Sequence, residues 1–437
     1  MVKAKVKVEF RINTSNNYFV EIMKTIKLAI LFIAFAYMVN GQPENNNLTT
    51  TNIQMNSVGS IEFPLGYHEF CKDKAFNFQM NRFYTMGYAR FEDMEDSGKR
   101  IASLEDWKIE MIKLAEHSIS EDRFLNAAFY YRAAEFYITE EYPEKELLYK
   151  KFIEYFKKAT VNDNLEYTKI PFNESFIYAI RLHPENSKKK GTIVLHGGFD
   201  SFKEELYSIM LYFYHQNYEV ITFETPWMGE SRKHKEMGLN IEWEKQISRI
   251  LDHYKSGDVT LIGVSMGGWL SLRAAAFEPR VTRVIASSVS FDVNQYSGKM
   301  AQKMAKLFFT KWRDFTNKTI EKKMKKDLAY AWFVNHLMFT SNKKTPVEAF
   351  DVLMQFNEEN LHSELVKQDV MILTGKQDHA IPFKMHQMQV DALINAKSIT
   401  DKVYTKETTG EQHCQVGNIK MSLDDMLEWI ETKSQNN

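Results

Sequence analysis

The chain has 437 residues, 44% of them hydrophobic and 14% aromatic, enough to bury a large core and too many for a disordered chain. Its 56 Lys and Arg against 57 Asp and Glu exclude the basic footprint of a nucleic-acid partner. No metal-ligand cluster of useful spacing and no phosphate-cradling glycine loop is present, so no cofactor is expected and the expected partner is a small-molecule substrate.

At the amino end, Lys24 and Lys27 precede an apolar run over 28–39, then Asn40, Gly41 and a polar stretch. A basic start, a short apolar run and small residues at the cut describe a secretory signal, too short for a membrane span. The expected cut follows Gly41, which predicts an exported protein, periplasmic or extracellular, with no membrane span in the mature chain. Met23 marks residues 1–22 as an upstream extension from a misassigned start; the alternative is an unusually long basic lead. Residues 42–64 read as a flexible leader, Asn- and Thr-rich. The oligomeric state is left open, a dimer included.

Residues 65–160 read as a helical region in which Trp107, Met111, Leu114 and Ala115 recur at helical spacing. Its segment 127–137 hints at a helical repeat, but no second copy follows at a fixed period, and Phe129, Tyr130, Phe136 and Tyr137 read as core. From residue 161 the pattern becomes alternating strands and helices. A strand pair is predicted at 165–170 and 175–182 around Pro171-Phe172-Asn173-Glu174, and an apolar strand at 191–195 runs into His196-Gly197-Gly198-Phe199-Asp200. In Glu224-Thr225-Pro226-Trp227-Met228-Gly229-Glu230-Ser231, Trp227 and Met228 are expected to narrow a pocket beneath that loop.

The apolar run 259–262 enters Gly263-Val264-Ser265-Met266-Gly267 and a helix-like stretch at 269–276. A serine on a sharp strand-to-helix turn stands exposed, and the flanking glycines admit close neighbours. Asp292, after the strand at 281–288, is a candidate polar pocket contact, with a helix cap as the plainer reading. Residues 294–365 form a long helical insertion rich in Met, Phe and Trp, read as a cap that covers the site, with Lys322 to Lys326 on its solvated face. The strand at 370–373 leads to Asp378 and His379, and Pro382 starts the next helix. His413 lies in the loop before a terminal helix at 421–430.

Ser, Asp and His arriving in this order, each at a strand's end, is the specific signal. Ser265 is the candidate nucleophile, His413 its general base and Asp378 the carboxylate that orients the imidazole. The candidate oxyanion donors are the backbone N–H of Met266 and that of Gly198 or Phe199, between which the residues do not choose. The ring of His196 reads as turn-stabilising. Cys71 and Cys414 read as small apolar side chains, with a disulfide between them as the alternative.

Glu411-Gln412-His413-Cys414-Gln415-Val416-Gly417-Asn418, with His196-Gly197-Gly198-Phe199-Asp200-Ser201 and the segment 127–137, resembles one branch of the α/β-hydrolases. That branch holds fermentation-respiration-switch-type esterases, 2,6-dihydroxypseudooxynicotine hydrolase and fungal pigment hydrolases that shorten polyketides. The resemblance implies a mostly parallel twisted sheet flanked by helices, a helical N-terminal region and a Ser-Asp-His site at Ser265, Asp378 and His413. The inserted cap then follows strand 6, dividing the catalytic core into 161–293 and 366–437. The residues 224–231 depart from the Pro-Gly-x-Gly turn of many relatives. The expected activity is hydrolysis of carboxylic esters of small or medium apolar substrates through an acyl-enzyme. The alternatives are cleavage of a carbon–carbon bond beside a ketone and a dipeptidyl-type peptidase. Against the peptidase, the amino end carries no run of evenly spaced strands to make a propeller.

Overall fold

In the computed structural model, which describes residues 61–184, 189–233, 238–296 and 298–435, the apolar runs become strands of one sheet. They are β1 (Glu166–Phe172), β2 (Ser175–Leu182), β3 (Thr192–His196), β4 (Glu219–Phe223), β5 (Val259–Val264), β6 (Val281–Ser287), β7 (Asp369–Gly375) and β8 (Ser398–Tyr404). Their spatial order is β1-β2-β4-β3-β5-β6-β7-β8. The β1–β2 and β2–β4 pairings are antiparallel and the rest parallel. β3, β4 and β7 are buried at every residue, which is why they read as continuous apolar runs. The edge strand β8 alternates exposed and half-buried positions until Tyr404.

The chain leaves β3 for β4 on one side and returns as β5 on the other. Loops leaving the carboxyl ends of β3 and β5 therefore diverge, and a crevice opens between them. The helices are α1 (Lys74–Thr85), α2 (Phe91–Gly98), α3 (Leu104–Ser120), α4 (Phe124–Phe136), α5 (Pro143–Ala159), α6 (Tyr207–His215), α7 (Trp243–Tyr254) and α8 (Met266–Phe277), followed by the cap helices α9 (Lys299–Lys311), α10 (Arg313–Met324), α11 (Leu328–Thr340), α12 (Pro346–Leu353) and α13 (Glu358–Leu361), and then by α14 (Lys384–Ala392) and α15 (Ile419–Gln435). The cap thus stands between β6 and β7.

Local chemistry sets the helix starts. Asp73 caps α1 by accepting from the amides of Ala75 and Phe76, and Ser103 caps α3 by accepting from Asp106. α4 is buried on every side from Asn126 to Phe136, because it packs between α3 and α5. The expected signal and most of the leader fall outside the described residues. Cys71 and Cys414 are free thiols, so the disulfide alternative does not form.

Candidate active site

β5 ends at Val264 and α8 begins at Met266, so Ser265 alone turns the chain, at φ 63° and ψ −128°. That conformation is costly for a residue with a Cβ and persists only where neighbours hold it. Here Ser265 N donates to Ser287 O at 2.8 Å, and Gly268 N donates to Ser265 O at 2.8 Å. The strand and helix meet so closely that a Cβ on Gly263 would lie 2.0 Å from the Gly267 carbonyl oxygen.

The fold brings Ser265, His413 and Asp378 into one hydrogen-bonded chain. Ser265 Oγ lies 2.9 Å from His413 Nε2, and His413 Nδ1 lies 2.7 Å from Asp378 Oδ2. The other oxygen of Asp378 accepts from the amides of Ala380 and Ile381 at 2.8 and 2.9 Å. Burial opposes the carboxylate, yet facing His413 and these contacts holds Asp378 below its ordinary pKa. Burial likewise opposes the imidazolium, but the adjacent Asp378 outweighs it and holds His413 well above its ordinary pKa. With Nδ1–H donating to Asp378, Nε2 is left to accept the Ser265 hydroxyl proton.

Two hydroxyls that the sequence reading did not single out position the His413 loop. Ser288 Oγ accepts from Cys414 N at 3.0 Å, and Ser287 Oγ donates to Gln415 Oε1 at 2.8 Å. They hold Cys414 and Gln415 at φ 52° and 56°, a turn neither residue adopts freely. The available signal was Ser287-Ser288, two serines directly after the apolar run Val284-Ile285-Ala286 of β6.

Gly198 lies against the elbow: a Cβ there would come within 2.8 Å of Met266 N and 3.1 Å of Ser265 Cβ. The amides of Phe199 and Met266 have no hydrogen-bond partner among the described residues. His196 is fully buried and props this loop from below. Its Nδ1 lies 3.0 Å from Gly197 O and its Nε2 2.9 Å from Ser271 Oγ, and burial pushes its pKa down to about 4. A neutral ring donates from Nδ1 and accepts at Nε2, which suits both contacts.

Ser265 and His413 open into a cavity of about 170 Å³. Phe78, Phe83 and Phe136 line it from the N-terminal helices, and Tyr330, Trp332 and Phe333 from α11 of the cap. Phe136 and Tyr137, read from sequence as core, both face this cavity, whereas Phe129 and Tyr130 are fully buried core. His379 also lines it, packed against Phe78 with ring centroids 4.4 Å apart; burial brings its pKa down to about 4. One polar patch interrupts the aromatic wall. There Arg82 donates to Glu205 at 2.6 Å, to Ser201 at 3.3 Å and to Gln79 at 3.3 Å.

Three expected pocket residues do not line this cavity. Trp227 turns inward: its Nε1 donates to Phe199 O at 3.3 Å, so it supports the loop of Gly198 from behind. Met228 is buried beside it. Asp292 accepts from the amide and side chain of Asn294 at 2.7 and 2.9 Å, capping the turn Val293–Tyr296. Among the described residues, no three or more His, Cys, Asp or Glu side chains are grouped to hold a metal ion, and no helix is long and apolar enough to cross a membrane.

A family model described as the alpha/beta hydrolase fold matches residues 193–396. Among curated proteins, the chain is similar to the hydrolase LUC6 of Fusarium sp, 27% identical over 286 residues, covering 58% of this chain and 66% of that protein. It is similar to the same extent to the 20-hydroxy-prefusarin hydrolase FUS2 of Gibberella moniliformis, 25% identical over 287 residues, covering 58% of this chain and 66% of that protein. With the hydrolase acrC of Aspergillus aculeatus it shares 26% identity over 190 residues, 40% of this chain and 44% of that protein. Among solved structures, 2,6-dihydroxy-pseudo-oxynicotine hydrolase superposes with TM-score 0.57 at 18% identity, covering 80% of this chain and 94% of that one. AbyA5 superposes with TM-score 0.56 at 16% identity, covering 75% and 85%.

Proposed function

We propose that this chain, whose residues 193–396 match the alpha/beta hydrolase fold, works as a serine hydrolase of that superfamily, with Ser265, His413 and Asp378 as its triad, on carboxylic esters of apolar or aromatic substrates. The observation that carries this reading is the unbroken Ser265–His413–Asp378 hydrogen-bond chain opening into an aromatic cavity.

In the first step Ser265 Oγ bonds to the substrate carbonyl carbon while its proton passes to His413 Nε2. The carbonyl π electrons move to oxygen, and the amides of Met266 and of Phe199 or Gly198 donate to that oxyanion. Collapse of the tetrahedral species breaks the bond to the leaving alcohol, which takes the proton from His413. Water then repeats the sequence on the acyl-enzyme and restores Ser265. Asp378 keeps the imidazole in the tautomer this needs and stabilises its charged form.

Arg82, Gln79 and Ser201 favour a second reading, cleavage of a carbon–carbon bond beside a ketone. Their donors share the cavity with Ser265 and suit a second carbonyl or the enolate that such cleavage releases. Residues 24–41 support export of the mature protein; sequencing the amino terminus of secreted protein checks it.

A fluorophosphonate probe should label Ser265 of the full chain and fail on Ser265→Ala, whose turnover should fall by about four orders of magnitude or more. A panel of aryl esters and β-diketones follows. Absence of labelling removes the serine reading. Turnover of diketones with no ester hydrolysis selects the second one.

A further inference from the structure

We propose that the first half of the cap, α9, α10 and the turn into α11, is a docking surface for an anionic lipid bilayer. Residues 298–327 hold ten Lys and Arg against three Asp and Glu, in a chain whose overall charge is −1. The cap therefore carries a positive pole that the rest of the molecule opposes, and such a pole orients approach to a negative surface.

Arg313 on this pole pairs with Asp351 at 2.7 Å and Lys323 lies near Asp327, but seven of its lysines have no paired carboxylate among the described residues. Lys303, Lys306, Lys311, Lys318, Lys322, Lys325 and Lys326 are all exposed, and none forms an ion pair among the described residues. This is not general for helical lysines in the protein. On the N-terminal helices Lys108 pairs with Glu105 and Glu144, Lys113 with Glu110 and Lys150 with Glu146.

Large apolar side chains stand out among the unpaired lysines. Met300 is 72% exposed, Leu328 60%, Trp312 48% and Phe315 41%. Trp312 and Phe315 flank Phe308, with ring centroids 4.8 and 6.0 Å from it, so the three rings form one aromatic patch. Lys318 and Lys322, three and seven residues beyond Phe315 on α10, share its helix face.

A soluble polyanion would satisfy the lysines but offer nothing to Leu328 or Met300. A bilayer satisfies both: its headgroups attract the lysines, and its interface takes up apolar side chains, with Trp preferring headgroup depth. Leu328 sits between Asp327 and Ala329, both of which line the active-site cavity. Docking through this turn would set the cavity rim against the lipid. An amphiphilic substrate could then pass from the membrane to Ser265, a consequence that rests on the proposed function, whereas docking itself does not.

The test is co-sedimentation of full-length Ser265→Ala with vesicles of phosphatidylcholine alone and with phosphatidylglycerol added, so that failure of the hydrolase reading cannot affect it. Binding is expected to the anionic vesicles only and to fall as salt is raised. Lys322→Glu/Lys325→Glu/Lys326→Glu should weaken it on the order of a hundredfold. Trp312→Ser/Leu328→Ser should weaken it about tenfold, with unchanged melting temperature. No binding to anionic vesicles overturns the proposal. So does binding that ignores the Trp312 and Leu328 changes and is displaced equally by heparin, which would mark a site for soluble polyanions.

Discussion

Two helical regions, far apart in sequence, wall the same cavity, and they are held in opposite ways. The N-terminal helices are fastened by buried charge. Arg132 donates to Glu205 at 2.8 Å, to Glu135 at 2.5 Å and to the Asp200 carbonyl at 2.7 Å, while Lys145 meets Glu135 at 2.7 Å. This network reaches the loop after β3, so the wall of the cavity and the chain carrying Gly198 and Phe199 are tied together. The cap meets that wall through an aromatic contact: Trp332 stacks on Phe136 with centroids 4.9 Å apart and donates to the Phe136 carbonyl at 2.8 Å. Buried, mutually satisfied charges are expensive to separate because each would be stranded in a low dielectric. A stacked ring gives up only contact area and one hydrogen bond, so opening of the site is expected at the cap.

The strongest way to break this contrast is to remove a charge from each region. Arg132→Ala leaves Glu205 with Arg82 and Glu135 with Lys145 as their remaining buried partners and should cost about 3 kcal/mol, read as a fall in melting temperature. Arg313→Ala in the cap removes a partly exposed pair with Asp351 and should cost under about 1 kcal/mol. Equal losses would refute the distinction. Trp332→Ala should come next, at about 3 kcal/mol for a large buried aromatic. Hydrogen exchange should then quicken in α11 while α4 stays protected.

Chemistry that depends on neither region provides a reference. In the proposed mechanism His413 must be neutral to accept the serine proton, and Asp378 holds its pKa above the ordinary 6.5, so kcat/KM should rise with pH along a limb centred above 6.5. Asp378→Asn removes the charge that raises it, and the limb should move to lower pH along with a large drop in rate. A limb that stays in place would point to a different titrating group. A small effect is also expected behind the loop. Trp227→Phe deletes one donor to Phe199 O, while His336 Nε2 still lies 3.1 Å from that oxygen. About 1 kcal/mol of stability and less than a tenfold change in kcat should follow.

Much of the candidate site was legible because it is written locally. A strand that must be buried on both faces shows as an apolar run, and a polar residue directly after it stands at the sheet's carboxyl edge. That logic singled out Ser265 after β5, Asp378 after β7 and the glycines after β3. Residue type misled at Trp227, where a pocket was expected and the neighbours decided otherwise, while at Asp292 the plainer reading, a cap, is what forms. Trp227 faces a carbonyl of the β3 loop and Asp292 faces the amide of Asn294. Phe136 and Tyr137 differ in the other direction: the aromatic stripe read as core, yet these two also line the cavity.

By itself the sequence determined the order of strands and helices, the turn at Ser265 and which residue types end each strand, since these follow from neighbours a few positions away. The walls of the cavity were decided by tertiary structure alone. They form where α1, α4 and α11 converge, and contacts such as Arg132 with Glu205, 73 residues apart, depend on how whole elements pack and leave no local pattern to read.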